Sequence, residues 1–536
     1  MKMVKSLILG SAAGLVAMSG AQAADLPVKA KAVEYVRICS LYGAGFFYIP
    51  GTDTCIKLGG YLRVDTTFNG QIYGGPAWSA DLGQGNRYRH SFDARARMAL
   101  TVDTRTATEY GVVRTFGQAD FQFDNNSAGY NPSQVAAAYL GGGGTNGSFL
   151  NTPGGGYVAV EMVFIQFAGF TFGKSASAYA TPWNGYPGNN NSFLLGGADY
   201  VTGVNNIQYT AQFGNGVSGT IGLDDPTVFN RTNLLNLGVN PTGAVLANNV
   251  SATAIGANAY GGAHAPDIVG NIRVDQAWGL FQISGMAHLV NASYNILGAG
   301  GVPTALSEIS GHPEDKWGGA VMAALQIKNL PTGPGDDIKI DVSYAKGATK
   351  AVISTSSTSP SFAMFGGTSR PGAYQSVGFG QTSDGVYLPG FLTAGATGDI
   401  KLTDAWGIRG AFNHNWDPYW STSLWGSYSQ VRYGGNSADI LTAKGQMCAN
   451  FNAGRIATAS ADYSCNPDFN VAQVGVVTRW TPVKNLTFSA EVGAFFLDQK
   501  FTGAIASTPP APKPAAVYEF KDHSTVFLNV RAQRNF

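Results

Sequence analysis

Charge is scarce in this chain. Lys, Arg, Asp and Glu together make up 12% of 536 residues, about half the share usual in soluble domains. Long apolar runs are missing too, since nothing after the first two dozen residues could cross a bilayer as a helix. Net charge is nearly absent at +1, which argues against a nucleic-acid partner, because that would need a basic excess. Cysteine is limited to Cys39, Cys55, Cys448 and Cys465. No C-x-x-C spacing occurs and no histidine stands near either pair, which argues against zinc. An even cysteine count suits an oxidising compartment, and sequential pairing is expected because short loops close most easily.

Enzyme signatures are also lacking. Gly142 to Gly147 satisfies G-x-G-x-x-G but lies in a low-complexity stretch rather than between a strand and a helix. Gly169-Phe170-Thr171-Phe172-Gly173-Lys174-Ser175 is one residue short of a P-loop and alternates like a strand. There is no G-x-S-x-G elbow, and none of the six histidines belongs to an H-E-x-x-H pair. A non-enzyme without cofactor or metal is expected.

What is present is glycine, at 71 residues, aromatics at 12%, and an N-terminus with a basic start, a short apolar core and Ala21-Gln22-Ala23. Residues 1–23 read as a secretory signal peptide, the apolar run being too short for an anchor helix. Without them the balance is 32 basic against 33 acidic residues.

The rest is strand after strand. In Ile56–Asn69, Ile56, Leu58, Leu62, Val64 and Phe68 share one face, and Lys57, Tyr61, Arg63, Asp65 and Asn69 the other. Phe92–Arg105 and Tyr110–Phe123 alternate likewise, setting Arg95, Arg97, Arg114 and Asp120 on the polar face. A soluble sandwich would alternate in the same way. Connection lengths separate the two readings. Short turns (Thr106–Thr108, 168–169, 214–216, 276–279, 415–420, 482–485) alternate with long Gly-rich stretches (70–91, 124–156, 178–203, 226–266, 347–405, 434–469). Long loops at one end and short turns at the other mark an outer-membrane barrel. Sixteen strands are counted, the last being Ser524–Phe536, and that number leaves an aqueous channel. Trp278, Trp416, Trp420 and Trp480 fall beside short turns, as an interfacial girdle or, alternatively, as core.

The expected fold is therefore all-β, a 16-stranded antiparallel transmembrane β-barrel over residues 56–536 with long extracellular loops and short periplasmic turns. A periplasmic segment, 24–55, precedes it. Lys57, Arg63, Asp65, Arg95, Arg97, Arg114 and Asp120 are the expected pore-lining residues. Their cations could form one basic wall that sets a field, or be neutralised by Asp65, Asp93 and Asp120 among them.

Several strings then resemble the general diffusion porins of alphaproteobacteria. They include Arg37 to Phe46, Pro50 to Lys57, Gly59-Gly60-Tyr61-Leu62-Arg63, Ala94-Arg95-Ala96-Arg97, Asp275 to Gly279, Trp480 to Leu486 and the terminal Arg531 to Phe536. The resemblance implies a homotrimer in the Gram-negative outer membrane, in contact with its lipid and passing ions and small hydrophilic solutes passively. It implies that a loop over about 178–203 folds inward, with Arg63, Arg95, Arg97 and Arg114 at the constriction. That loop carries Trp183, Tyr186 and a single acid, Asp199, whereas such porins set several acids against the wall. The resemblance also implies that Phe536 is a signal for barrel-assembly machinery. Three rivals stand beside it: a nutrient-specific channel with Trp183 and Tyr186 as a stacking track, a barrel lipase, and a surface adhesin using the 347–405 loop.

Overall fold

The computed structural model describes residues 37–71, 73–78, 91–125, 155–227, 230–239, 257–298, 301–355, 359–391, 395–453, 456–509 and 513–536. The signal-peptide stretch and Gly142–Gly147 lie outside them. Sixteen strands close into one barrel: β1 Cys55–Phe68, β2 Phe92–Thr108, β3 Gly111–Asp124, β4 Gly155–Phe167, β5 Phe170–Ser175, β6 Val204–Gly214, β7 Val217–Asp224 and β8 Asp267–Gln276. The second half is β9 Gly279–Val290, β10 Lys316–Lys328, β11 Asp337–Lys346, β12 Asp404–Asn415, β13 Trp420–Arg432, β14 Phe469–Val483, β15 Leu486–Gln499 and β16 His523–Asn535. Every neighbour is antiparallel, and β1 pairs with β16 from Tyr61↔Asn535 to Phe68↔Leu528 to seal the ring. A short strand, Phe47–Tyr48, adds to the start of β1, beside the Cys39–Cys55 disulfide.

The sequence expectation and the barrel differ in small ways. β2 runs on to Thr108, so the first turn is Glu109-Tyr110 rather than Thr106–Thr108. At the seal, Gly60 exchanges backbone hydrogen bonds with Phe536. A Cβ at Gly60 would lie 2.0 Å from Ala99 O, so only glycine allows this approach of β1 to β2.

Exposure along the strands decides between sandwich and membrane barrel. Leu62, Val64, Val163 and Ile165 are 50–55% exposed, while Asp65, Arg95 and Asp120 are at most 3% exposed. A soluble sheet has the opposite polarity. An apolar face turned to lipid with a polar lumen accounts for it. Trp278, Trp416, Trp420 and Trp480 are all exposed, with Trp420 and Trp480 stacked at 5.9 Å. They form a girdle at the short-turn end. Among the described residues no helix is long and apolar enough to cross a membrane.

The long connections hold structure of their own. Phe362–Gly366, Gln375–Gly380, Ala516–Phe520 and Ala504–Ser507 form one small sheet. Leu234–Asn236, Ala257–Asn258, Gly385–Tyr387 and Lys401–Leu402 form another. A helix, Ala443–Asn452, is capped by the Thr442 hydroxyl, which accepts from Gly445 N, and is stapled by Cys448–Cys465. An apolar cluster joins these segments to the barrel. Trp78 packs edge-on against Phe193, Phe362 and Phe495 with ring centroids 4.9–5.6 Å apart. Inward side chains of β13 to β16, among them Trp425, Val477, Phe495 and Phe527, are buried in such contacts. Among the described residues, protein thus fills this side of the lumen, and open space remains on the β1 to β6 side.

Candidate functional site: the pore eyelet

Alternation places the polar residues of β1 to β4 and β16 inside, and their register decides who meets whom. Asp65 on β1 lies opposite Arg95 of β2 and Arg531 of β16. Arg95 Nε is 2.8 Å from Asp65 Oδ2, and Arg531 donates to Oδ1. One strand on, Arg97 Nη1 reaches Asp120 Oδ2 at 2.6 Å and Glu161 Oε1 at 3.4 Å. Glu161 is the extra residue of a bulge in β4, between the partners of Gln118 and Ala119, and it follows the outward Val158 and Val160 onto the lumenal side. Arg63 donates Nε to Gln533 Oε1 at 2.8 Å, with its guanidinium 4.4 Å from the Tyr61 ring. Tyr73 lies over Arg95 and Arg97 at 4.7 and 5.6 Å.

The expected wall is therefore a mosaic of alternating signs. Two of its members also stand apart from the constriction. Arg114 pairs in register with Arg105, whereas Arg97 pairs with Gln122, eight residues further along β3. That is about 27 Å along the strand, so Arg114 belongs to the short-turn mouth, where it shares Asp103 with Arg105. Lys57, opposite Asp103, is exposed at the same mouth with Nζ 5.9 Å from the Phe46 ring.

The connection between β5 and β6, residues 176–203, crosses the lumen and is fastened at many points. Asn271 of β8 and Gln282 of β9 donate to Ala178 O and Ala180 O at 2.6 and 2.7 Å. Arg409 of β12 donates to Ala198 O at 2.6 Å. Gln473 of β14 accepts from Leu195 N, and Glu491 of β15 accepts from Asn190 N and Asn191 N. These anchors sit opposite the wall. They also redirect the loop residues singled out by sequence. Tyr186 donates its hydroxyl to Asp199 and lies 5.5 Å from the Arg409 guanidinium. Trp183 donates Nε1 to Gly185 O at 3.1 Å and packs against the apolar cluster. Asp199 is 6% exposed on the anchored side, so no acid of the loop faces Arg97.

Between wall and loop lies an open cavity of about 640 Å³. Tyr61, Arg63, Arg97, Asp120 and Glu161 line it on one side, and Asn184, Ser192, Phe193, Val201 and Thr202 on the other. Lys174 closes its edge, donating Nζ to Val160 O and Glu161 O at 2.8 Å and to Thr202 O. Arg63, Arg97 and Lys174 face Asp120, Glu161 and Asp225, a balanced set. Such a slot can pass water and small polar solutes. Sequence reasoning does not single out Glu161, Arg409 and Glu491, although strand alternation places all three on the lumenal face, Glu161 directly after the outward Val158 and Val160.

Comparison with known proteins agrees with this architecture. Residues 25–529 match the model of the Porin subfamily. Porin Omp2b of Brucella suis is 39% identical over 224 residues, covering 41% of this chain and 54% of that protein. Its counterpart in Brucella melitensis is 38% identical over the same length. The chain thus spans about half the length of the curated relatives it matches. The outer membrane channel DcaP of Acinetobacter baumannii, at 13% identity, superposes with a TM-score of 0.52 over 91% of this chain and 99% of its own, a likeness of fold. The family and these names are those of channels rather than enzymes. With a closed barrel, a lipid-facing apolar surface and a loop drawn across the lumen, the chain belongs to the Porin subfamily and is a multi-pass β-barrel of the outer membrane.

Proposed function

We propose that the chain forms a water-filled channel for passive diffusion of ions and small hydrophilic solutes across the outer membrane, with no turnover and no cofactor. The observation that carries this reading is the slot between the Arg63–Arg97 wall and the inward loop. Its charge preference is weak, because each carboxylate of the mosaic lies within 3.4 Å of a guanidinium and such close pairs cast only short-range fields. The loop supplies no acid across from them, so the field runs along the wall. Trp183 and Tyr186 are engaged within the loop, which leaves a sugar-stacking track without its rings.

Assembly as a homotrimer and recognition of Phe536 by barrel-assembly machinery complete the reading. The test is single-channel recording in planar lipid bilayers under a salt gradient. Stepwise, near-ohmic conductance with a small reversal potential is expected. Protein that inserts and never conducts would refute the proposal.

A further inference from the structure

The outer surface of β11 to β13 carries two features that the channel itself does not use. The first is a row of polar residues on the outward face at the long-loop end. Lys346 and Asp404 are opposite each other in register, as are Asp404 and Arg432. Lys346 Nζ is 3.7 Å from Asp404 Oδ2, with its side chain 57% exposed. The Tyr344 hydroxyl donates to Asp404 at 2.7 Å, and Arg432 is held by Asn470 Oδ1 and the carbonyls of Val431 and Phe469. Beneath the row, Tyr344, Trp406 and Tyr428 face outward, the last two with rings 5.5 Å apart.

Height along the barrel sets the level of this row. Arg432 lies twelve residues from the girdle residue Trp420 on the same strand. At about 3.3 Å per residue and a tilt of about 40°, that is roughly 30 Å along the membrane normal. The row therefore sits just beyond an apolar band about 25 Å tall, where the headgroups of the outer leaflet lie.

The second feature is an apolar groove of about 420 Å³ below the row on the same strands. Gly410 and Gly426, paired in register, form its floor, and Ile340, Ile408, Phe412 and Leu424 its walls. Missing side chains at two adjacent outward positions leave a furrow in the apolar surface directly below the polar row.

We propose that this face binds one phosphate-bearing lipid of the outer leaflet, its phosphate on Lys346 and Arg432 and one acyl chain in the Gly410–Gly426 groove. Both cations suit a phosphate by charge-assisted hydrogen bonding. The groove returns contact to a chain that would otherwise meet only other lipids.

The test is native mass spectrometry of the detergent-solubilised protein titrated with bisphosphorylated lipid A. Phosphatidylcholine is the comparator and inorganic phosphate the competitor. Retention of one lipid A per chain is expected. Lys346→Glu and the groove-filling Gly426→Leu should each weaken it about tenfold, while Lys484→Gln at the opposite end leaves it unchanged. If Gly426→Leu fails to show wild-type heat-modifiable migration, Leu424→Trp fills the same furrow from an exposed wall. Equal retention of phosphatidylcholine, or displacement of lipid A by inorganic phosphate alone, would overturn the site. So would wild-type retention by either the headgroup or the groove variant.

Discussion

Arg409 directs its Nε at both carboxylate oxygens of Asp341, 3.0 Å from each, and both side chains are fully buried. Its remaining nitrogens donate to Leu194 O and Ala198 O of the inward loop. The pair therefore fixes the loop that bounds the eyelet. Arg409→Ala would leave Asp341 buried without its cation, a loss of about 3–5 kcal/mol. A lower midpoint in heat-modifiable electrophoresis and a noisier open-channel current are expected. Arg409→Lys should remain noisy, since one ammonium cannot serve the carboxylate and two carbonyls together. Quiet wild-type current in both variants would mean that the other anchors, Asn271, Gln282, Gln473 and Glu491 among them, hold the loop without Arg409.

Charge selectivity should respond to unbalancing the mosaic. Arg97→Ala leaves Asp120 and Glu161 without the guanidinium that lies 2.6 and 3.4 Å from them. The cation-to-anion permeability ratio should rise by a few-fold, because charge in a narrow pore sets ion preference. Asp120→Asn should move the reversal potential the opposite way. The double variant Arg97→Ala/Asp120→Asn should return close to wild type, which a merely steric role for Arg97 would not produce.

Much of this could be read from sequence because a barrel strand has a strict period of two. Arg63, Asp65, Arg95, Arg97 and Asp120 all face the lumen, and the apolar partners of each strand are exposed. Alternation reports the face of a residue and leaves its height and its cross-strand neighbour to register. Alternation therefore groups Arg114 with Arg97, although eight residues of β3 separate their levels. Loops carry no period at all. Phe362 to Phe365 and Val377 to Phe379 lie among Gly, Ser and Pro in a stretch read as polar connection, yet they form a buried sheet. Tyr186 and Asp199 turn away from the wall because Arg409, distant in sequence, draws them across the barrel.

The external segments should depend on the Cys448–Cys465 bridge. Both cysteines are buried among Met447, Phe451 and Phe469 in the cluster that includes Trp78 and Phe193. A bridge with a sequence separation of 17 stabilises its segment by about 3 kcal/mol through the unfolded chain. In Cys448→Ser/Cys465→Ser, protease added to intact cells should cleave within 434–469 faster than in wild type. The barrel should keep its heat-modifiable migration. Unchanged cleavage would mean that apolar packing alone fixes the segment.

Lys350 gives a pH dependence of defined sign. It follows β11, outside the spanning strands, is 3% exposed, and donates to Thr355 O at 3.1 Å. Burial pushes its ammonium down from 10.5 to about 8, against the attraction of Asp199 and Asp384. Between these values the unfolded chain binds more protons than the folded one, so this group's contribution to stability rises as pH increases from about 8 to 10.5. Lys350→Met removes the buried charge and should stabilise at pH 7 by no more than about 3 kcal/mol, less whatever Thr355 O loses as an acceptor. The measurement is the difference in thermal midpoint between Lys350→Met and wild type at pH 7, 9 and 10.5. That difference should shrink as pH rises, because wild type then holds a neutral amine. A difference that stays constant, or grows with pH, would show that the ammonium is not held at a cost in the folded protein.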